Sequence, residues 1–215
     1  VKREKLDSFL LDQALTSGCN LLTAFKVVDI KKKSNVWHIT ALDGRQIEAR
    51  AVVIADGSQS PWSKTFNLGP NQQKFASTFS GRIKRRGNLR NETARFEFGL
   101  VKNGFAWAFP LDNEVNIGMG TFLDNKNSLP VNEILKSFLP NLGFDPSEVI
   151  GHEKKLRIWN GHCKLNGEGI LFVGDAASLC DPFLAEGLRP ALMSGFEACL
   201  LYTSDAADEA IGVEL

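Results

Sequence analysis

The chain predicts an α/β fold in which a mostly antiparallel β segment is inserted between two parts of a strand-and-helix layer. Three observations carry this. Two short apolar runs, Ala51–Ala55 and Ile170–Val173, read as strands buried on both faces, and each ends in a Gly/Asp turn. Between them, strand-like segments follow one another across Gly, Asn and Asp turns. Segments of helical period lie toward the two ends.

Taken in order, Leu6, Phe9, Leu10, Gln13, Ala14 and Ser17 recur at helical spacing, so Arg3–Ser17 is a helix that Gly18 stops. Phe25–Ile30 is a strand with Lys31–Asn35 as its polar turn. Val36–Ala41 follows, and Asp43-Gly44 turns it into Gln46–Ala49. In the middle, Phe75–Ile83, Thr93–Val101, Phe105–Pro110 and Val115–Phe122 are strands, the last two joined by a hairpin at Leu111–Val115. Val131–Leu139 is a helix entered through Pro130 and stopped near Pro140. Leu156–Trp159 reads as one more strand. After Val173 comes a small-residue turn, then Pro182, then Glu186-Gly187 opening an apolar helix.

Composition narrows the function classes. The 215 residues carry 25 Lys+Arg against 25 Asp+Glu, which argues against a mainly electrostatic nucleic-acid or membrane partner. The basic cluster at 82–86 with Arg90 reads as a solvated face or turn. Cys19, Cys163, Cys180 and Cys199 lack metal-site or disulfide spacing and read as reduced thiols; His38, His152 and His162 are scattered. Asn91-Glu-Thr93 fits a sequon without a signal peptide, and no apolar run reaches the length of a membrane span. Cytoplasmic location is the expectation.

Chemistry concentrates in Gly174–Gly195. A strand runs into Gly174-Asp175, where the Asp175 carboxylate can accept hydrogen bonds from sugar hydroxyls. Gly187 lets backbone approach a ring, and the helix amides from Leu188 onward would face negative charge on a ligand. Two further pieces are weaker alone: Ala55-Asp56-Gly57-Ser58-Gln59-Ser60 after the first apolar strand, and Arg3 on the opening helix. A fourth piece is Gly104–Pro110 followed by Val115–Gly120. Trp107 and Phe109 share strand parity and read either as sheet packing or as the wall of an apolar pocket, with Gly118 and Gly120 leaving room beside it.

Together these pieces resemble the geranylgeranyl reductase family of flavin-dependent oxidoreductases, in the wider group of p-hydroxybenzoate hydroxylase and the flavin halogenases. The resemblance spans about residues 1–198. Val1–Gly18 is similar to the family's R-x-x-F-D-x-x-L-x-x-x-A-x-x-x-G helix, with Leu6 for Phe. Asp56-Gly57 with Ser60 matches A-D-G-x-x-S. Gly104–Gly120 is similar to Y-x-W-x-F-P then V-G-x-G, with Phe105 for Tyr.

The resemblance implies a partial FAD-binding Rossmann-like domain, about residues 1–68 and 165–198, with a substrate domain of mostly antiparallel β, about 69–164, inserted. It implies that Arg3, Asp56, Gly57, Gly174, Asp175, Pro182, Glu186, Gly187 and Leu188 bind the cofactor, and that Trp107, Phe109, Gly118 and Gly120 meet the substrate.

The implied reaction is reduction of carbon–carbon double bonds in a prenyl chain, with NADPH as the candidate reductant and peripheral membrane association through the substrate. A flavin monooxygenase or halogenase, or a non-enzymatic lipid- or partner-binding remnant, are the alternatives. The family's G-x-G-x-x-G turn is not among these residues, so the chain reads as an N-terminally truncated fragment, expected to be inactive alone. Residues 199–215 read as a non-native tail.

Overall fold

Gly18 closes the first helix as the periodicity predicts. In the computed structural model, which describes residues 2–85, 93–122 and 130–203, α1 spans Arg3–Thr16. Cys19 N–H reaches back to the Ala14 carbonyl and Gly18 N–H to that of Leu15 (3.1 and 3.0 Å), a six-to-one and a five-to-two bond around a glycine at φ +94°. The chain divides into two compact units, residues 1–52 and 53–215.

The first unit holds α1 and an antiparallel sheet of β1 (Val27–Lys33), β2 (Val36–Ala41) and β3 (Gln46–Ala49). Ile30, Trp37, Ile39 and Ala41 form its buried side. The expected turn at Lys31–Asn35 is shorter: only Ser34 and Asn35 turn, with Ser34 at φ +55°. Lys31, Lys32 and Lys33 instead pair with His38, Trp37 and Val36. Lysine stems tolerate a half-exposed strand because the ammonium reaches water; Lys32 Nζ lies 5.8 Å from the Trp37 ring centroid.

The second unit is built on a five-stranded antiparallel sheet in the order β6–β7–β8–β5–β9, from β5 (Lys74–Lys84), β6 (Arg95–Phe98), β7 (Gly104–Pro110), β8 (Glu114–Thr121) and β9 (Ile150–Ile158). Strand alternation gives it two faces. One carries Ala106, Ala108, Val115, Ile117 and Met119. It packs beneath Ile134, Leu135 and Phe138 of α3 (Val131–Phe138) to form the main core. The other carries Phe96, Phe98, Phe105, Trp107 and Phe109. The hairpin at 111–114 is closed by Leu111 N–H to the Glu114 carbonyl, 2.8 Å.

Beside it, β4 (Val52–Ile54), β10 (Asn166–Gly167) and β11 (Ile170–Phe172) form a second small sheet in the order β10–β11–β4. All of β11 is buried, but β4 is not covered on both sides as expected. Ile54 is buried while Val53 is 44 % exposed, since β4 is an edge strand. The strand expected at Leu156–Trp159 starts earlier, at Ile150. Its first six residues are exposed and mostly polar, which an outer strand allows. A short helix, α2 (Trp62–Phe66), follows β4, and α4 (Leu188–Thr203) closes the described chain. Cys199–Thr203 continue α4; residues 204–215, the Arg86 and Arg90 part of the basic cluster, and Asn91 of the sequon lie outside the described residues. Among the described residues, no helix is long and apolar enough to cross a membrane, and no cluster of metal-ligating side chains occurs.

Candidate functional site

The turn after β11 is shaped by small residues. Gly174 has φ +54°, where a side chain is strained, and a Cβ there would lie 3.2 Å from that of Ala191 on α4. Gly174 N–H donates to Ser194 Oγ (3.0 Å), so α4 is seated directly on the turn. Residues Gly174–Ala177 make one 3-10 turn, and Ser178 leaves it at φ +60°.

The loop then folds on itself: Asp181 Oδ1 accepts from the amides of Phe183 and Leu184 (2.9 and 2.6 Å) beyond Pro182, and Asp181 N–H donates to the Glu186 carbonyl (2.9 Å). Gly187 passes close to Asp175, whose Oδ1 would lie 3.2 Å from a Cβ at that position. The first turn of α4, from Leu188, is capped by its own chain. Glu186 Oε1 accepts from Arg189 N–H at 2.7 Å, so a carboxylate already meets part of the helix's positive end.

β9 joins this loop to the first Asp-Gly turn. Ile158 bridges to Cys180, and Trp159 N–H donates to the Cys180 carbonyl at 2.8 Å. Earlier on the same strand, the Lys155 carbonyl accepts from Ser58 Oγ (3.3 Å), and Arg157 Nη2 donates to the Ser60 carbonyl. Asp56 and Gly57 open that turn, which the Ser60 N–H to Gly57 carbonyl bond closes at 3.0 Å. Burial holds the Arg157 guanidinium below its ordinary pKa, and the charge of Asp56 pulls the other way.

The aromatic face meets the same loop. Cys180 packs with Ala76, Phe105, Phe122 and Ile158, with Trp107 and Ala185 against them. The Cys180 thiol is pushed up to about 12 by burial, with Asp175, Asp181 and Glu186 adding to the rise. Trp107 stacks on Phe109 (centroids 6.1 Å apart, planes 22° apart), and Phe96 meets Phe109 edge-on at 5.1 Å.

Gly118 lies opposite Trp107 on β8, but the room expected there is filled. A Cβ would fall 2.1 Å from Trp107 Cζ2 and 2.6 Å from the Phe79 carbonyl oxygen. At Gly120 the nearest atom would be Phe122 Cζ, at 3.1 Å. The indole is fixed through its N–H by Asn116, whose Oδ1 accepts from Trp107 Nε1 at 2.9 Å. The Asn116 amide nitrogen donates to Ser80 Oγ and the Gly81 carbonyl (3.2 and 3.3 Å), which orients the side chain.

Of the sequence-predicted residues, the second unit thus joins Gly174, Asp175, Pro182, Glu186, Gly187 and Leu188 to Trp107 through Cys180 and Ala185, and to Asp56 and Gly57 through β9. Arg3 lies in the first unit, exposed at the start of α1, with Nε 3.0 Å from Asp7 Oδ1. Sequence reasoning missed Arg157, Asn116 and Cys180. The first two had a signal: Asn116 is polar inside an apolar strand, and Arg157 lies between the apolar Leu156 and Ile158. Two cavities, about 440 Å³ beside α2 and about 480 Å³ between the large sheet and α3, contain none of the motif residues. The motif geometry, rather than cavity size, therefore marks the site.

FAD fits the residues present on two counts. Bare backbone at Gly187 leaves the Asp175 carboxylate uncovered by any Cβ, and the buried Ser178 hydroxyl has no hydrogen-bond partner among the described residues. The Ser178 hydroxyl is hydrogen-bonding capacity that a ligand can meet.

No family model matches the chain. It is 27 % identical over 207 residues to an uncharacterised protein of Methanosarcina barkeri, covering 95 % of this chain and 52 % of that one. It is also 27 % identical over 224 residues to a menaquinone reductase of Mycobacterium tuberculosis (95 % of this chain, 54 % of that one). A chloroplastic geranylgeranyl diphosphate reductase of Nicotiana tabacum is 25 % identical over 226 residues (87 % and 47 %). The chain thus spans about half the length of these relatives. The crystal structure of a geranylgeranyl bacteriochlorophyll reductase-like protein from Thermoplasma acidophilum shares its fold, with TM-score 0.73, 21 % identity, and coverage of 96 % of this chain and 55 % of that one. In its motifs, its fold and these relatives together, the chain is similar to the geranylgeranyl reductase-like FAD flavoproteins.

Proposed function

We propose that the protein carrying this sequence is an FAD-dependent oxidoreductase that reduces carbon–carbon double bonds of a prenyl substrate. The observation that carries the reading is the shared apolar cluster: Cys180 and Ala185 of the Gly174–Gly187 loop pack with Phe105 and Trp107 of the aromatic face. A flavin held by that loop would lie beside an apolar wall suited to an isoprenoid chain. Menaquinone and geranylgeranyl diphosphate, named in two relatives, both carry such chains.

In this reading Asp175 accepts from the cofactor's hydroxyls, Gly174 and Gly187 keep the loop close, and Pro182, Glu186 and Leu188 border the ring. Asp56 and Gly57 form the neighbouring turn, and Arg3 meets phosphate or sugar. Residues 1–68 and 165–198 are the cofactor part, with 69–164 the substrate part. Trp107 and Phe109 line the substrate wall, Gly118 lets the Trp107 indole lie close against β8, and Gly120 sets the wall's depth. When bound and reduced by NADPH, the flavin would supply the hydride, and a proton would complete the addition. The chain's own work is to orient the alkene on the aromatic face and exclude water there. NADPH is the proposed reductant, and membrane contact follows from substrate solubility.

The test is anaerobic incubation of the holoenzyme with reduced flavin and a geranylgeranyl substrate, read by mass spectrometry. The expected product gains one hydrogen molecule per reduced double bond. An oxygenated or halogenated product under air would replace this reading with the monooxygenase or halogenase one, and colourless protein that takes up no FAD would favour a binding remnant.

A further inference from the structure

Arg157 is out of place by ordinary packing rules. It sits near the C-terminal end of β9, 6 % exposed, in an Lys-Leu-Arg-Ile-Trp stretch where its neighbours Leu156 and Ile158 point into the apolar cluster. A buried guanidinium is tolerated when its five N–H donors are matched. Here Nη2 reaches the Ser60 carbonyl, but Nε and Nη1 are buried without a partner among the described residues, and Ser60 Oγ is likewise buried without one. Burial lowers the Arg157 pKa, so the fold disfavours the charge, and the offsetting influence is Asp56, an exposed carboxylate four residues before Ser60. The guanidinium therefore approaches the Asp56–Ser60 turn from inside the molecule: it is bonded to the turn's last residue and attracted to its first acid.

We infer that Arg157 is a positioning residue, which fixes the Asp56–Ser60 turn from beneath through the Ser60 carbonyl, at a cost to the stability of the fold. Nε and Nη1 have no solvent access, so the contact that reaches the turn is the Nη2 bond to the Ser60 carbonyl. A turn held in one conformation is what a cofactor needs on arrival. A residue kept for structure alone gives the opposite stability signature: its removal weakens the fold.

The experiment compares wild type, R157M and R157K without cofactor, by thermal melting and by amide hydrogen exchange of peptides covering residues 56–60, and then by FAD titration. R157M removes the charge, keeps most of the volume, and strands only the Ser60 carbonyl. It is expected to melt no lower than wild type, while the turn exchanges about tenfold faster, equivalent to ~1.4 kcal/mol of lost protection. R157K, which keeps the charge, restores slow exchange in part. FAD affinity falls about tenfold in R157M, an arm that rests on the proposed flavin reading. A melting temperature several degrees lower in R157M, or exchange unchanged from wild type, overturns the inference. If melting and exchange behave as expected while wild type takes up no FAD, the positioning role stands and the flavin reading falls.

Discussion

Gly118→Ala is the substitution whose cost the structure specifies most closely. A methyl at this position lands 2.1 Å from Trp107 Cζ2, 2.4 Å from Cε2 and 2.6 Å from the Phe79 carbonyl oxygen. The indole is a movable side chain, but the Phe79 carbonyl belongs to β5, which is hydrogen-bonded on both sides, to β8 and to β9. Two penalties follow. Overpacking costs about 1–3 kcal/mol, and displacing the indole from Asn116 loses a hydrogen bond of about 1 kcal/mol. G118A is thus expected to lose about 2–4 kcal/mol, or roughly 4–16 °C in Tm for a chain of this size.

Urea unfolding followed by circular dichroism measures this, with W107A and the double variant alongside. Because the clash with the indole exists only when both residues are large, W107A/G118A should be more stable than the two single losses predict, with about 1 kcal/mol or more of coupling. The Phe79 carbonyl keeps G118A costly even without the indole. A G118A chain within about 0.5 kcal/mol of wild type, or strictly additive losses, would refute the packing described for this face.

Three further outcomes are expected. Asn116→Leu fills a similar volume but releases the indole N–H; the Trp107 indole proton should exchange faster by NMR, with the sheet intact. Alkylation at mildly alkaline pH should label the exposed Cys19 and Cys199 well before Cys180, which is buried. The Cys180 thiol also makes stability fall at high pH. Its folded pKa of about 12 lies above the ordinary 9.0, so the unfolded chain loses this proton first. Stability is complete below about pH 9 and declines as pH rises toward 12, and Cys180→Ser should flatten that decline in a pH series of urea melts.

What could be read from the sequence divides along a physical line. Turns written in glycine, proline and aspartate were legible, because these residues act through their own backbone: Gly18, Asp43-Gly44, the 111–114 hairpin and the Gly174–Gly187 loop all fall where local chemistry puts them. Contacts between distant segments were not. Arg157 and Ser60 are 97 residues apart, and nothing local to either announces the other. Gly118 was expected to leave room beside the wall, but Trp107 fills that space, which depends on the register that sets the two opposite each other. The start of β9 was missed because an edge strand needs no apolar face, and the three lysines of β1 were taken for a turn because their cross-strand partners lie in β2.

The central claim is that the Gly174–Gly187 loop holds a flavin beside the Trp107 wall. FAD titration into the protein carrying this sequence, read by quenching of flavin fluorescence and by tryptophan emission, tests it most directly. Gly187→Val serves as the comparison, because its side chain would press on Asp175 Oδ1 and Cys180 Sγ, which lie 3.2 and 3.7 Å from the Cβ position. The account predicts saturable binding of one flavin per chain, weakened about tenfold or more by G187V and accompanied by a change in tryptophan emission that W107F abolishes. Flavin binding indifferent to both substitutions, or no binding at all, would contradict it.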